Sequence, residues 1–201
     1  MVDTLLFPTL SAYLSRLPDG LDSYPQCQAK GSMVVSALEH HDLGPVLSHL
    51  PAELVELVGS PPPATRWLPL AHSESIFHAI CDRFYPKEAD VIEWCYRRTW
   101  AMAKSPMYRR LGSVAGPRFF LRIAASVHRM FERGTSMTVA SRDASSARVE
   151  LQHPPHAHSP LNKVSNVGML RAIVEMTGGV SPDCKMTRCG PEGAVFDCTW
   201  E

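Results

Sequence analysis

The last eighteen residues, CKMTRCGPEGAVFDCTWE, hold three of the six cysteines around a GPEG turn. Thiols so spaced could bridge as a disulfide or ligate zinc. Strand geometry narrows the choice. GPEG suits a type I turn with Pro191 second and Gly193 in the left-handed conformation, which makes Gly190 and Ala194 the closing pair. Met186 then faces Cys198 and Cys184 faces Trp200. Cys189 and Cys198 fall on opposite faces, so this register excludes a Cys189/Cys198 disulfide or shared metal. Cys184 and Cys198 become diagonal neighbours, roughly 7–8 Å apart at the backbone. With two ligands from elsewhere they could hold zinc, although buried thiols are ordinary core residues, and core packing beside Met186, Phe196 and Trp200 is expected.

HPPHAH places His153, His156 and His158 in one short stretch, and neutral imidazoles bind zinc, copper or nickel. The prolines extend the backbone, so the expectation is an exposed loop without a metal. His78 and Cys81 lie one helical turn apart, with Cys95 on the next helix. Cys81 and Cys95 sit in apolar stripes, which argues for core. His40 and His41, in EHHD, read as a solvated helix end. No metal site is expected.

Arg118, Arg122, Arg129 and Arg133 are spaced 4, 7 and 4 apart, so a helix would line them up as a stripe for an anionic partner. The chain is neutral overall, yet residues 1–96 carry five basic and twelve acidic side chains and residues 97–201 fifteen and eight. The basic half could meet the acidic half within the molecule, or face an anionic partner. Neutral net charge and the absence of a recognised motif argue against nucleic acid.

Searches for catalytic patterns return nothing. LGSVAG and GGVSP lack nucleophile-elbow spacing, and no glycine-rich turn leads from a strand into a helix. The expectation is a protein that is not an enzyme and carries no cofactor.

The elements that must position these residues follow from periodicity. SESIFHAICDRFY puts Phe77, Ile80, Cys81 and Phe84 on one helical stripe with Ser73 as cap. EADVIEWCYRRTWAMAK repeats the pattern through Ile92, Cys95, Tyr96 and Thr99. GPRFFLRIAASVHRMFERG opens with Pro117 and stops at Gly134. SMTVAS and ARVELQ alternate around RDASS and predict a hairpin. SNVGMLRAIVEMTGG predicts a helix capped by Ser165 and ended by Gly178 and Gly179. The predicted class is α+β: a helical block packed on an antiparallel sheet, with a C-terminal β-β-α-β-β unit.

The 201 residues, 45% of them apolar and 20% charged, suit one globular domain. The organisation expected is an N-terminal segment, 1–23, followed by a single α+β sensor-like domain, 24–201. No apolar run reaches membrane-spanning length, and MVDTLLFPTLSAYLSRLPDG does not read as a secretion leader. A cytoplasmic protein with reduced thiols is the expectation.

With KGSMVVSALE, RWLPL, SVHRMFERG before a hairpin and CGPEGAVFDCTW in that order, the chain resembles 4-vinyl-reductase-type domains over residues 24–200. It resembles most an uncharacterised paralogous family abundant in myxobacteria. The fold superfamily includes heme nitric-oxide/oxygen sensor domains and the Bet-type subunits of TRAPP tethering complexes. The resemblance implies a ligand-sensing or protein-interaction (regulatory) module with a small hydrophobic ligand in an apolar pocket between helices and sheet. Trp94, Trp100, Phe119, Phe120, Met130 and Phe131 are the candidate lining. A protein partner or self-association, as a homodimer, is also implied. The alternatives are a dimerising scaffold without ligand and a zinc-stabilised sensor. For zinc, the resemblance points to a C-terminal cysteine pair that Cys189 and Cys198 match approximately. The Tyr-x-Ser-x-Arg signature of the heme sensors is absent, because TVASRD has no tyrosine.

Overall fold

The computed structural model describes residues 2–103 and 126–201, which fall into two compact units. The predicted α+β class with antiparallel sheets is the one observed. The first unit comprises Met1–Pro86, Met130–Thr135 and His153–Ser159. Its helices are α1 (Pro8–Leu14), α2 (Gly31–Leu38), α3 (Ala52–Gly59) and α4 (Leu70–Phe84), with 3-10 turns at Gly20–Asp22 and Gly44–His49. A small antiparallel sheet joins β1 (Gln28–Lys30), β2 (Trp67–Pro69) and β3 (Glu132–Arg133) in the order β2-β1-β3.

Proline begins α1, where its missing N–H costs nothing. The next two backbone N–H groups, of Thr9 and Leu10, donate to the Asp82 carboxylate at 3.1 Å, so a distant side chain on α4 satisfies the helix start. Helix α4 begins three residues before the predicted Ser73 cap, because Leu70 and Ala71 are buried and the Leu70 N–H donates to the Cys27 carbonyl at 2.9 Å. Of the predicted stripe, Phe77, Ile80 and Cys81 are buried and Phe84 is 41% exposed. Residues Glu74 to Cys81 are all buried, so the middle of α4 has no solvent face. Residues 126–131 are helical, but Glu132 and Arg133 then pair with β1 as a strand. The predicted helix to Gly134 therefore ends early, and Arg133 leaves the helical arginine stripe.

The second unit comprises Lys87–Arg129, Ser136–Gln152 and Pro160–Glu201. Helix α5 is Glu88–Ala103 and α6 is Pro160–Met176; the strands are β4 (Ser136–Arg142), β5 (Ser146–Gln152), β6 (Asp183–Gly190) and β7 (Gly193–Thr199). The sheet order is β4-β5-β7-β6, which realises the predicted β-β-α-β-β unit. Inward residues of the strands and α6 form one core, with Val149, Leu151, Leu170, Val174, Phe196, Cys198 and Trp200 at its centre. On α5 the buried residues are Val91, Trp94 and Cys95, while Ile92 packs half-buried against that core.

Two predictions about this unit need correction. Helix α6 begins at Pro160, so Ser165 lies inside it, buried, with its hydroxyl donating to the Asn162 carbonyl at 2.7 Å. The final hairpin closes on Gly190 and Gly193 around two residues, and a bulge between Met186 and Arg188 shifts the register again. Cys184 consequently lies directly opposite Cys198, not diagonal to it, and Met186 opposite Phe196. The two shifts together move the pairing by an even number of positions, which keeps the predicted inward set on the inward face.

Candidate functional site

The first unit buries an acid–base cluster built from three separate stretches of chain. Helix α4 supplies Glu74. Strand β3 supplies Glu132, which pairs with the buried Ala29 of β1 and so points inward, while Arg133 takes the opposite face. The stretch after β5 supplies His158. The His158 Nδ1–H donates to Glu74 Oε1 at 3.1 Å and the Nε2–H to Glu132 Oε2 at 3.0 Å. The Thr135 hydroxyl also donates to Glu132 Oε2, at 2.9 Å.

Burial alone would push the His158 pKa down, but Glu132 and Glu74 outweigh it and hold the pKa up at about 10. The ring is therefore an imidazolium with both nitrogens donating, and it has no lone pair for a metal or a proton. Burial raises the Glu74 carboxyl, and the His158 charge beside it pulls the other way.

The His153–Ser159 stretch is pinned at several points. Tyr13 of α1 donates its hydroxyl to the Ala157 carbonyl at 3.0 Å, and Tyr24 donates to the Pro155 carbonyl at 2.9 Å. His156 turns the chain with a φ of 63°, and the Ala157 N–H closes the turn on the Pro154 carbonyl. The His153 ring meets the His158 ring edge-on at 5.0 Å. His153 and His158 are buried, so the predicted exposed loop is overturned: His158 is buried with two charge partners, and His153 packs edge-on against it.

His78 lies one turn beyond Glu74. Its Nδ1 shares a 2.9 Å hydrogen bond with the Thr9 hydroxyl, and its ring stacks on Tyr13 at 5.0 Å. Burial lowers its pKa to about 3, so the ring is neutral. Burial and the nearby Glu74 charge keep the Tyr13 phenol well above its usual range.

Of the aromatic candidates, Trp94 is buried and Trp100 half-buried on α5 in the second unit. Met130, 46% exposed, and the half-buried Phe131 belong to the first unit. Phe119 and Phe120 lie outside the described residues, as do Arg118 and Arg122 of the arginine set. Arg129 is exposed and donates to the Ser126 hydroxyl at 3.1 Å. Arg133 stacks over Trp67, its guanidinium carbon 3.9 Å from the ring centroid.

The six cysteines are thiols, with Cys189 exposed and the other five buried. The Cys184 thiol and burial both drive the Cys198 pKa upward, so the thiol form persists. Among the described residues no group of three His, Cys, Asp or Glu side chains is placed to hold a metal.

Sequence reasoning missed Glu74, Glu132, Lys30 and Trp67. Glu74 had a signal: with Phe77, His78 and Cys81 it falls at i, i+3, i+4 and i+7, a carboxylate on an otherwise apolar stripe. Such a residue needs a buried partner.

A four-stranded antiparallel sheet of β-β-α-β-β order, with a second unit of helices and a small sheet, defines the fold of heme nitric-oxide/oxygen sensor domains. The Fe(II) unliganded structure of an H-NOX protein mutant from K. algicida aligns at a TM-score of 0.61 and 10% identity, covering 86% of this chain and 96% of that one. A mutant H-NOX of T. tengcongensis aligns at 0.58 and 11%, covering 86% and 97%. An oxygen-binding H-NOX domain related to soluble guanylate cyclases aligns at 0.56 and 9%, covering 85% and 92%. At these identities the likeness establishes the fold. No family model and no curated protein sequence matches the chain.

Two buried histidines of the first unit are engaged at both ring nitrogens. His158 has both nitrogens on carboxylates, and His41 has its own on the Ala37 carbonyl and the Tyr85 hydroxyl. His78 is 2% exposed, stacked on Tyr13 and edge-on to Phe77 at 5.7 Å.

Proposed function

We propose that this chain is a non-catalytic regulatory module that senses a small hydrophobic ligand or engages a protein partner, with residues 24–201 acting as one sensor-like domain. The observation that carries the reading is the H-NOX fold, matched over 86% of the chain. One of the solved neighbours is described as Fe(II) unliganded and another as an oxygen complex, so the scaffold serves ligand binding in those proteins. The absent Tyr-x-Ser-x-Arg signature favours a ligand other than heme. The finer resemblance proposed from the sequence, to 4-vinyl-reductase-type and TRAPP Bet-like domains and to the paralogous family abundant in myxobacteria, implies a regulatory role over a catalytic one. An apolar pocket between helices and sheet is proposed to take the ligand. A homodimer or another protein partner would transmit the signal. The buried acid–base cluster supports the same view, because its proton-transfer groups are spent on holding chain segments together.

Native mass spectrometry of freshly purified protein tests the reading. The expected spectrum shows a small-molecule adduct that survives gentle desolvation and is lost on activation, and it reports the number of subunits. A bare monomer under every condition would overturn both the ligand and the self-association arms.

A further inference from the structure

The outer face of the three-stranded sheet carries cations that no carboxylate among the described residues answers. Ala29 and Leu68 are an inward pair, 2% and 4% exposed, so the neighbouring pair Lys30 and Trp67 takes the outer face. Arg133 joins them from β3, where it lies opposite Gln28. The Lys30 ammonium sits 4.3 Å from the Trp67 ring centroid and the Arg133 guanidinium 3.9 Å, so two cations share one indole. Arg66, which is exposed, precedes Trp67 in the chain. Among the described residues none of these three cations makes an ion pair, and the nearest carboxylate in sequence, Glu132, is turned inward to His158.

We infer that this face docks an acidic, carboxylate-bearing segment of a partner protein, through Lys30 and Arg133 at Trp67. Like charges gathered on one ring repel each other, and the aromatic face relieves only part of that cost. A bound anion relieves the rest. Guanidinium and ammonium donors match carboxylates in charge-assisted hydrogen bonds, while the indole offers flat apolar surface to the stems of neighbouring side chains. Two cations suit a short acidic stretch. A nucleic-acid backbone needs a longer basic track, and a chain of twenty acidic and twenty basic side chains offers it no net attraction. This surface deepens the protein-partner arm of the proposed function and rests on it for its purpose. Its binding is read independently of the small-molecule adduct, so either can fail alone.

Fluorescence anisotropy of a labelled oligoglutamate peptide, titrated with the full chain, tests the inference. Binding should weaken steeply as salt rises, and Arg133→Ala and Lys30→Ala should each lower affinity about tenfold. Far-UV circular dichroism should show both variants folded, since Arg133 is exposed and Lys30 half-buried. The double variant Lys30→Glu, Arg133→Glu should lose oligoglutamate and bind oligolysine. The inference is overturned if the wild-type chain leaves the peptide unbound, or if the double variant binds it as well as wild type. It is overturned equally if inorganic phosphate or a single-stranded oligonucleotide displaces the peptide at matched charge concentration.

Discussion

His158 keeps its charge in a fully buried position because Glu74 and Glu132 stand at either ring nitrogen. Removing the imidazolium would leave two carboxylates facing each other across the gap. His158→Gln should therefore destabilise the protein by about 3–5 kcal/mol, the cost of breaking a buried charge pair. Glu132, whose side chain is 16% exposed, can draw on solvent, so Glu132→Gln should cost less. Urea denaturation monitored by tryptophan fluorescence measures both, and equal midpoints for His158→Gln and wild type would refute the role of the clasp. At this scale the sequence was legible where one residue type admits one environment, as for the inward Cys184, Phe196, Cys198 and Trp200. It was misleading where burial depends on a distant partner. HPPHAH looks like a surface loop because nothing local to it supplies the carboxylates; they come from residues 26 and 84 positions away.

The alternation of SMTVAS and ARVELQ and the turn chemistry of GPEG were sufficient to predict a β-β-α-β-β unit, since period and turn residues are local properties. Register was not. The hairpin closes on Gly190 and Gly193 and bulges at Thr187, and neither feature has a residue signature outside its pairing with β7. The start of α6 was missed because HSP reads as loop, although Pro160 suits a first helical position. Within α6, Gly168 was read only as part of a periodic stretch. A Cβ there would run into the Ile92 carbonyl oxygen on α5, so the glycine sets how closely the two helices approach. Gly168→Ala should lower stability by about 1–3 kcal/mol through overpacking. Gly59→Ala is the control: nothing lies within 4 Å of a Cβ at that site. Its effect should stay within about 0.5 kcal/mol of zero or be slightly favourable through the unfolded chain. Thermal melts that rank the two variants the other way would refute the close-approach reading.

At the scale of the molecule, two buried histidines with opposite shifts shape stability against pH. His78 has a folded pKa lowered to about 3, below its ordinary value, by burial. Between that ordinary value and 3 the unfolded chain takes up a proton that the native state refuses, so stability falls as the solution is acidified. His158 has a folded pKa raised to about 10 by its carboxylates. Its stabilisation is fully present below the ordinary histidine value, about 6.5, and is lost as pH rises through 10. Each limb should slope at most about 1.4 kcal/mol per pH unit, the value for one proton. The other charged groups around His158 are Glu74 and Glu132, with the His153 ring, the Tyr13 phenol and the Cys27 thiol nearby. Burial, followed by the Glu132 charge, raises the Cys27 thiol, so it resists ionising along the alkaline limb. The stability curve should be a dome with its top near neutral pH, and its two sides should be separable by mutation. His78→Asn should flatten the acid side and leave the alkaline side intact; His158→Gln should lower the whole curve and remove the alkaline fall. Urea midpoints across pH 4 to 10.5 measure this. A His158→Gln curve that kept the wild-type alkaline slope would show that the proton lost there belongs to another group.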